Sequence, residues 1–380
     1  MNRFKNSSSS GGCKENLNRF KKFARRKIED GDRGGRTIAA TEKGVTLADV
    51  AKAAGVSKGT ASNVFNRPEI VREEVRERVL EAAKAIGYHG PDPIARVLSA
   101  GKVNAIGVAT LEPLSYFFTD PFARVLMTGI AGICDENGIG ISLVSAANHE
   151  DLAWNLRSAV VDGFILFCLD GADRLFELAR ERNLPAVALA FGAGDADISV
   201  VSIDNVSASR EAARHLADLG HRRFAILSME LMPGSHGPVT PAQVDSATYL
   251  TSAERIRGYL DGLSAYGIDA ADVPVHETLS DRETVEAALA EIFADPTPPT
   301  AILAESDVIA FHAIDWLKAR GLSVPGDVSV VGFDNVPEAE RFDPPLTTVA
   351  QPIAEIGRRA VGTILDDDGG KVRLMLPTDL

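Results

Sequence analysis

Three cysteines in 380 residues, Cys13, Cys134 and Cys168, are too few and too scattered for a disulfide framework or a CxxC site. Their expected role is packing as reduced thiols. No stretch of eighteen apolar residues occurs, so no membrane-spanning helix is expected. The N-terminus is charged and serine-rich where a secretory signal needs an apolar segment, so the expected location is cytoplasmic. Phosphate-cradling signatures are also missing. There is no P-loop, and GIGISL at 138–143 lacks the last glycine of a dinucleotide-binding GxGxxG. His149, Glu150 and Asp151 are consecutive at an expected helix start, and His221 follows a helix-ending Gly220, so neither group reads as a metal or catalytic site. No enzyme activity and no cofactor or metal is expected. A solute receptor serving a transporter would need export, for which neither a signal sequence nor a lipid-attachment cysteine is visible.

A net charge of −13 would repel nucleic acid if it were spread evenly, but it is not. Residues 1–44 carry +7, with 12 Lys and Arg against 5 Asp and Glu; residues 45–102 carry +2, and the remainder carries −22. A basic head on an acidic body lets one end approach phosphates while the other is repelled. Residues 1–44, with NSSSSGG followed by NRFKKFARRKIEDGDRGGR, read as a disordered basic tail with one short helix near 20–28.

The segment 45–91 opens with VTLADVAKAAGVSKGTASNVFN. Thr46 and Asp49 have capping-box spacing for a first helix that ends at Gly55. Ser57 caps a second helix, with Thr60, Ala61 and Val64 facing the first and Lys58, Gly59, Ser62 and Asn63 facing outward. Asn66 and Pro68 close it, and Val71, Val75, Val79, Ala82 and Ile86 mark a third helix. Two short helices joined by a glycine turn form a helix-turn-helix. Its second helix can enter the major groove of double-stranded DNA: Gly59 allows close approach, and Lys58, Ser62 and Asn63 offer polar groups to base edges or phosphates. Residues 92–102, containing IARVLSAGK, are too short for a helix that is stable alone. They read either as a hinge that folds on DNA with Leu98 as a minor-groove wedge, or as an ordinary linker.

From 103 to 380 short apolar runs (AIGVAT, ISLVSA, GFILFCL, PAVALA, VVSID, FAILSM, TAILAE, VSVVGFD) alternate with helical stretches at 121–137, 151–161, 173–183, 206–219, 252–267 and 307–320. This pattern predicts an α/β architecture of two parallel-sheet lobes with a ligand cleft at the carboxyl ends of the strands. Asp204, Glu305, Ser306 and Asp334 stand at those ends.

Together these segments, with RIRGY at 255–259, SDVIAFHA at 306–313 and VPGDVSVVGFDN followed by PPLTTVAQP, resemble the lactose/galactose repressor family of bacterial transcription regulators. The resemblance covers nearly all of 45–375. It implies an N-terminal helix-turn-helix three-helix domain and a periplasmic-binding-protein-like effector domain. It also implies a homodimer on a palindromic operator and a small effector, often a sugar, in the cleft. It places Thr46, Ser57, Thr60, Ser62 and Asn66 at phosphates or in support of the recognition helix, Lys58 and Gly59 at base edges, and Leu98 in the minor groove. In the cleft it places Arg255 and Asp334 on the polar edge of the ligand, Ser306 and Asp307 beside them, and Asp120 and Phe122 on the opposite lobe. The chain departs from the family pattern at Asn63, where arginine is common, and at Arg72, where a serine usually caps the third helix. Glu305 and Ser306 replace Ala-Asn, and Ala190 and Phe191 stand where polar residues are frequent. The segment 230–253 is longer than usual, and the stop at Leu380 predicts a C-terminal lobe short of an edge strand. No tetramerising heptad tail follows.

Overall fold

The computed structural model describes residues 45–90, 102–145, 149–167, 173–189 and 198–380. The chain divides into two compact units, one ending at Ser99 and one beginning at Ala100. The expected tail over 1–44, the hinge with Leu98, and Ala190 and Phe191 lie outside the described residues.

The first unit contains α1 (Leu47–Ala54), α2 (Lys58–Asn66), a short 3-10 turn (Pro68–Ile70) and α3 (Glu73–Ala85). Its boundaries follow from local chemistry. The Asp49 carboxylate accepts the Thr46 backbone N–H at 2.9 Å and the Thr46 hydroxyl at 2.7 Å, fixing the start of α1. Gly55, at φ 63°, reverses the chain in a conformation that costs glycine little. Ser57 Oγ accepts the Thr60 N–H at 3.0 Å and starts α2. Arg72 occupies the cap position of α3 and provides no side-chain cap; Glu73 in the first turn pairs with Arg76 at 2.7 Å. Val50, Ala51, Ala54, Ala61, Val64, Val79 and Ala83 form the small core.

The second unit has two lobes. The N-terminal lobe begins with β1 (Ala105–Thr110), α4 (Tyr116–Thr119), α5 (Pro121–Asn137), β2 (Gly140–Ser145), α6 (His149–Ser158), β3 (Gly163–Phe167), α7 (Asp173–Glu181), β4 (Ala186–Leu189) and β5 (Ser199–Ile203). The chain then crosses to the C-terminal lobe, which contains α8 (Asn205–Asp218), β6 (Phe224–Ser228), β7 (Gly237–Pro238), α9 (Pro241–Asp245) and α10 (Leu250–Ser264). It continues through β8 (Val275–Glu277), α11 (Arg282–Ile292), β9 (Ala301–Ala304), α12 (Asp307–Ala319), β10 (Ser329–Asp334), α13 (Pro337–Arg341) and β11 (Thr347–Ala350). It returns through α14 (Ile353–Leu365) and ends with β12 (Arg373–Leu376).

The sheet orders are β12-β5-β4-β3-β1-β2 and β11-β10-β9-β6-β8-β7. Every named strand pair is parallel except β7 with β8. GFILF, FAILS and AILA are buried throughout, which is why these strands read as continuous apolar runs rather than alternating ones. The last strand belongs to the N-terminal sheet, where it pairs with β5, and Asp379 then bridges back to Ala350.

Two helix pairs flank the crossings between lobes, α5 with α14 and α8 with α10, and both need glycine at their closest approach. A Cβ on Gly129 would lie 2.0 Å from the Ala354 carbonyl oxygen, and one on Gly258 would lie 2.4 Å from that of Val206. Neither neighbour can swing away, because both are backbone. Gly129→Ala should therefore cost about 1–3 kcal/mol through overpacking. Equilibrium denaturation checks this, and an unchanged midpoint would contradict the packing.

Candidate functional site

In the first unit the exposed edge of α2 is built from Ser57, Lys58 and Gly59 at its N-terminal end, with Asn66 exposed at the other. Thr60 is half-buried, and its hydroxyl lies 2.9 Å from that of Ser57. Ser62 and Asn63 are half-buried rather than fully outward, and Asn66 Nδ2 donates to Ser62 Oγ at 3.1 Å. Thr46 is exposed at the start of α1. The surface available to a phosphate or a groove is therefore concentrated at the first turn of α2. Free N–H groups and the helix dipole favour an anion there.

In the second unit a cavity of about 500 Å³ opens at the carboxyl ends of strands from both lobes. The N-terminal lobe contributes Glu112, Tyr116, Asp120, Phe122 and Phe167; the C-terminal lobe contributes Glu230, Tyr249, Thr251, Arg255, Ser306 and Asp334, among others. Asp120 caps α5 by accepting the Ala123 N–H at 2.8 Å. Phe122 lies parallel to Phe167, with centroids 5.9 Å apart and planes inclined by 10°.

Arg255 is the centre of the C-terminal wall and is almost completely buried. Its Nε donates to Asn205 Oδ1 at 3.1 Å, its Nη1 donates to the Glu305 carbonyl, and the guanidinium lies over the Phe333 ring at 3.7 Å from the centroid. The same Nη1 is 3.7 Å from Asp334 Oδ1, which also accepts from Gln351 Nε2 at 2.6 Å. Burial pushes the Asp334 carboxyl well above its ordinary range, and the Arg255 charge opposes that rise. Asp334 also has φ 121°, a backbone conformation rare for any residue with a Cβ, at the point where β10 meets the cavity.

The structure brings Asp120, Phe122, Arg255, Ser306 and Asp334 to one cavity, but not Asp307. Asp307 is wholly buried behind the wall: Oδ2 accepts the Val336 N–H at 2.8 Å and Oδ1 accepts the Thr348 hydroxyl. Its expected ligand contact is corrected to a positioning role, tying the start of α12 to the turn after β10. That placement needs Gly332, where a Cβ would fall 2.4 Å from Asp307 Oδ1. Burial pushes the Asp307 carboxyl up to about 6. Ser306 both faces the cavity and caps α12, its Oγ accepting the Ile309 N–H at 3.2 Å.

Two other strand-end residues do not line the cavity. Asp204 is exposed and caps α8 through the Ser207 N–H at 2.9 Å. Glu305 is wholly buried, with Oε2 accepting the Met229 N–H at 3.0 Å. The long 230–253 segment is partly built into the cavity wall. Its ends supply Glu230, Tyr249, Thr251 and Ser252 to the cavity, while its middle forms β7 and α9. Buried Glu277 anchors it, accepting from the Leu231 N–H at 2.9 Å and the Ser235 hydroxyl at 2.7 Å. Glu112 and Glu230 line the cavity, and Asn205 and Gln351 hold Arg255 and Asp334 in its wall; none of the four was singled out from the sequence. Glu112 and Glu230 follow the ends of β1 and β6, the signal by which they could have been found.

Arg255→Ala would leave Asp334 buried without its cation, at a cost of about 3–5 kcal/mol. A carboxyl whose folded pKa lies above its unfolded value contributes stability below the unfolded pKa and loses it as pH rises through the folded one. Removing Arg255 raises the folded value further. The deficit of Arg255→Ala against wild type should therefore grow as pH rises above the ordinary carboxylate range, as read by thermal melts across a pH series; a deficit that does not grow would contradict this assignment.

Residues 46–91 match the model of bacterial regulatory proteins of the lacI family, and residues 213–371 match that of the periplasmic binding protein-like domain. A HTH-type transcriptional regulator of Mycobacterium tuberculosis is 38% identical over 320 residues, covering 83% of this chain and 89% of that protein. Among solved structures, the lac repressor dimer bound to operator and the anti-inducer ONPF aligns with a TM-score of 0.69 at 25% identity, over 88% of this chain and 97% of the other. The transcriptional regulator CelR in complex with cellobiose aligns with a TM-score of 0.62 at 29% identity, over 88% and 98%.

Proposed function

The chain belongs to the lacI family of bacterial regulatory proteins, DNA-binding transcriptional regulators rather than enzymes, and from that premise we propose that it is a repressor whose operator affinity is changed by a sugar or sugar derivative in the interlobe cavity. The observation that carries the reading is the presence in one chain of an exposed recognition-helix start and a polar, aromatic-walled cavity built around Arg255. The cellobiose complex of CelR supports a sugar as the ligand class, and the operator-bound lac repressor dimer supports a homodimer on an operator; the two-fold symmetry of such a dimer would call for a palindromic site. In this reading residues 1–44 are a basic tail, 45–91 the DNA-binding domain, 92–102 the hinge and 103–380 the effector and dimerisation domain. Lys58 and Gly59 face base edges. Ser57, Thr60, Thr46, Ser62, Asn63 and Asn66 hold the phosphates or the helix, and Leu98 is the minor-groove wedge. In the cleft Arg255, Asp334 and Ser306 meet the ligand hydroxyls opposite Asp120 and Phe122. The protein acts in the cytoplasm, on the nucleoid when DNA-bound; no described helix is long and apolar enough to cross a membrane.

Selection from random double-stranded DNA should return an inverted repeat. Lys58→Ala and Leu98→Ala should each weaken binding to it by about tenfold, within the 1–3 kcal/mol of a base contact, without lowering the melting temperature. Recovery of no common sequence, or unchanged affinity in both variants, would count against the reading.

A further inference from the structure

We propose that the effector carries a cationic amine, as an amino sugar does, and presents it to a carboxylate clamp formed by Glu112 of the N-terminal lobe and Glu230 of the C-terminal lobe. The proposal deepens the reading of the cavity as the effector site and rests on it.

Four carboxylates, Glu112, Asp120, Glu230 and Asp334, line the cavity against one cation, Arg255. That cation is already engaged by Asn205, the Glu305 carbonyl and Asp334. Asp120 and Asp334 also have protein partners, in the Ala123 N–H and the Gln351 amide. Glu230 uses only Oε1, which accepts the Gly234 N–H at 2.7 Å. The Glu112 carboxylate has neither hydrogen bond nor ion pair among the described residues. Glu112 with both oxygens and Glu230 through Oε2 therefore remain open to a ligand, and the two belong to opposite lobes and line one cavity.

Burial raises the Glu112 carboxyl, and the Glu230 and Asp120 carboxylates raise it further, so ionising it has a cost that an approaching cation relieves. Burial raises the Glu230 carboxyl as well, the Gly234 N–H opposes that rise, and Glu277 adds to it against a smaller effect of His236. A sugar phosphate or sugar acid would add charge of the same sign in a partly desolvated space, which is strongly unfavourable. A neutral sugar would leave the excess carboxylates uncompensated. An ammonium placed between the lobes satisfies both, with three donors to share. The half-buried ring of Phe122 on the same cavity supplies a further attraction, since aromatic faces favour cations as well as sugar C–H surfaces.

The test is thermal shift at pH 7 and low salt, on wild type and on Glu112→Gln/Glu230→Gln, with two sets each matched in ring and differing in charge: glucose, glucosamine and glucose 6-phosphate, and the galactose equivalents. The amine should give the largest rise in wild type, and the double variant should lose that preference. Without ligand, the double variant should melt about 2 °C or more above wild type, with the gain shrinking in high salt as repulsion across the cleft is screened. A neutral or phosphorylated sugar that matches the amine, or a double variant that melts at or below wild type, would overturn the proposal. A double variant that melts higher in a protein binding none of these sugars would keep the clamp and remove the sugar from the proposed function.

Discussion

The second unit is organised around one buried guanidinium. Arg255 reaches from α10 to the first residue of α8, the end of β9 and the end of β10, so a single side chain joins four elements of the C-terminal lobe at the wall of the cavity. Burying a charge is tolerable only when it is paired and its hydrogen-bonding capacity is used. Asn205, the Glu305 carbonyl, Asp334 and the face of Phe333 together meet that requirement. Asp334 in turn stays at the cavity only because Arg255 offsets part of its desolvation and Gln351 supplies a hydrogen bond.

Two of those partners lie where the chain passes between lobes. Asn205 begins the first helix after the crossing from β5, and Gln351 follows β11 at the start of the return to α14. The residues that hold the cationic wall in place are therefore the ones that must adjust if the lobes rotate. A ligand that changed the hydrogen bonding of Arg255 or Asp334 would act directly on these crossings. Tight glycine-mediated contacts in α5 with α14 and α8 with α10 leave each lobe little freedom to absorb the change internally. The ion pair of Arg124 with Glu338, between α5 and α13, adds an exposed contact across the lobes. Being exposed, it contributes little stability and is easily exchanged.

Local chemistry made the helix-turn-helix legible in the sequence. Thr46 with Asp49, Gly55 and Ser57 act within three or four residues of themselves, and each does in the structure what its spacing implied. The parallel strands were legible for another reason: burial on both faces leaves unbroken apolar runs. β7 and β8 were not, because two or three residues carry no periodicity. Asp307 and Asp204 show the limit for site residues. Adjacency in sequence cannot tell a carboxylate facing a cavity from one turned inward to Thr348 and Val336 or used as a helix cap. Glu112 and Glu230 were passed over because they sit in turns after strands, and only the assembled cavity shows that they share a space.

The central claim is that cavity and operator are thermodynamically linked, each ligand changing the affinity for the other by the same factor. The most direct measurement is operator affinity with and without saturating effector, alongside effector affinity with and without operator. The account predicts two equal factors, of about 5- to 150-fold. Operator affinity unchanged by an effector shown to bind the cavity would contradict it.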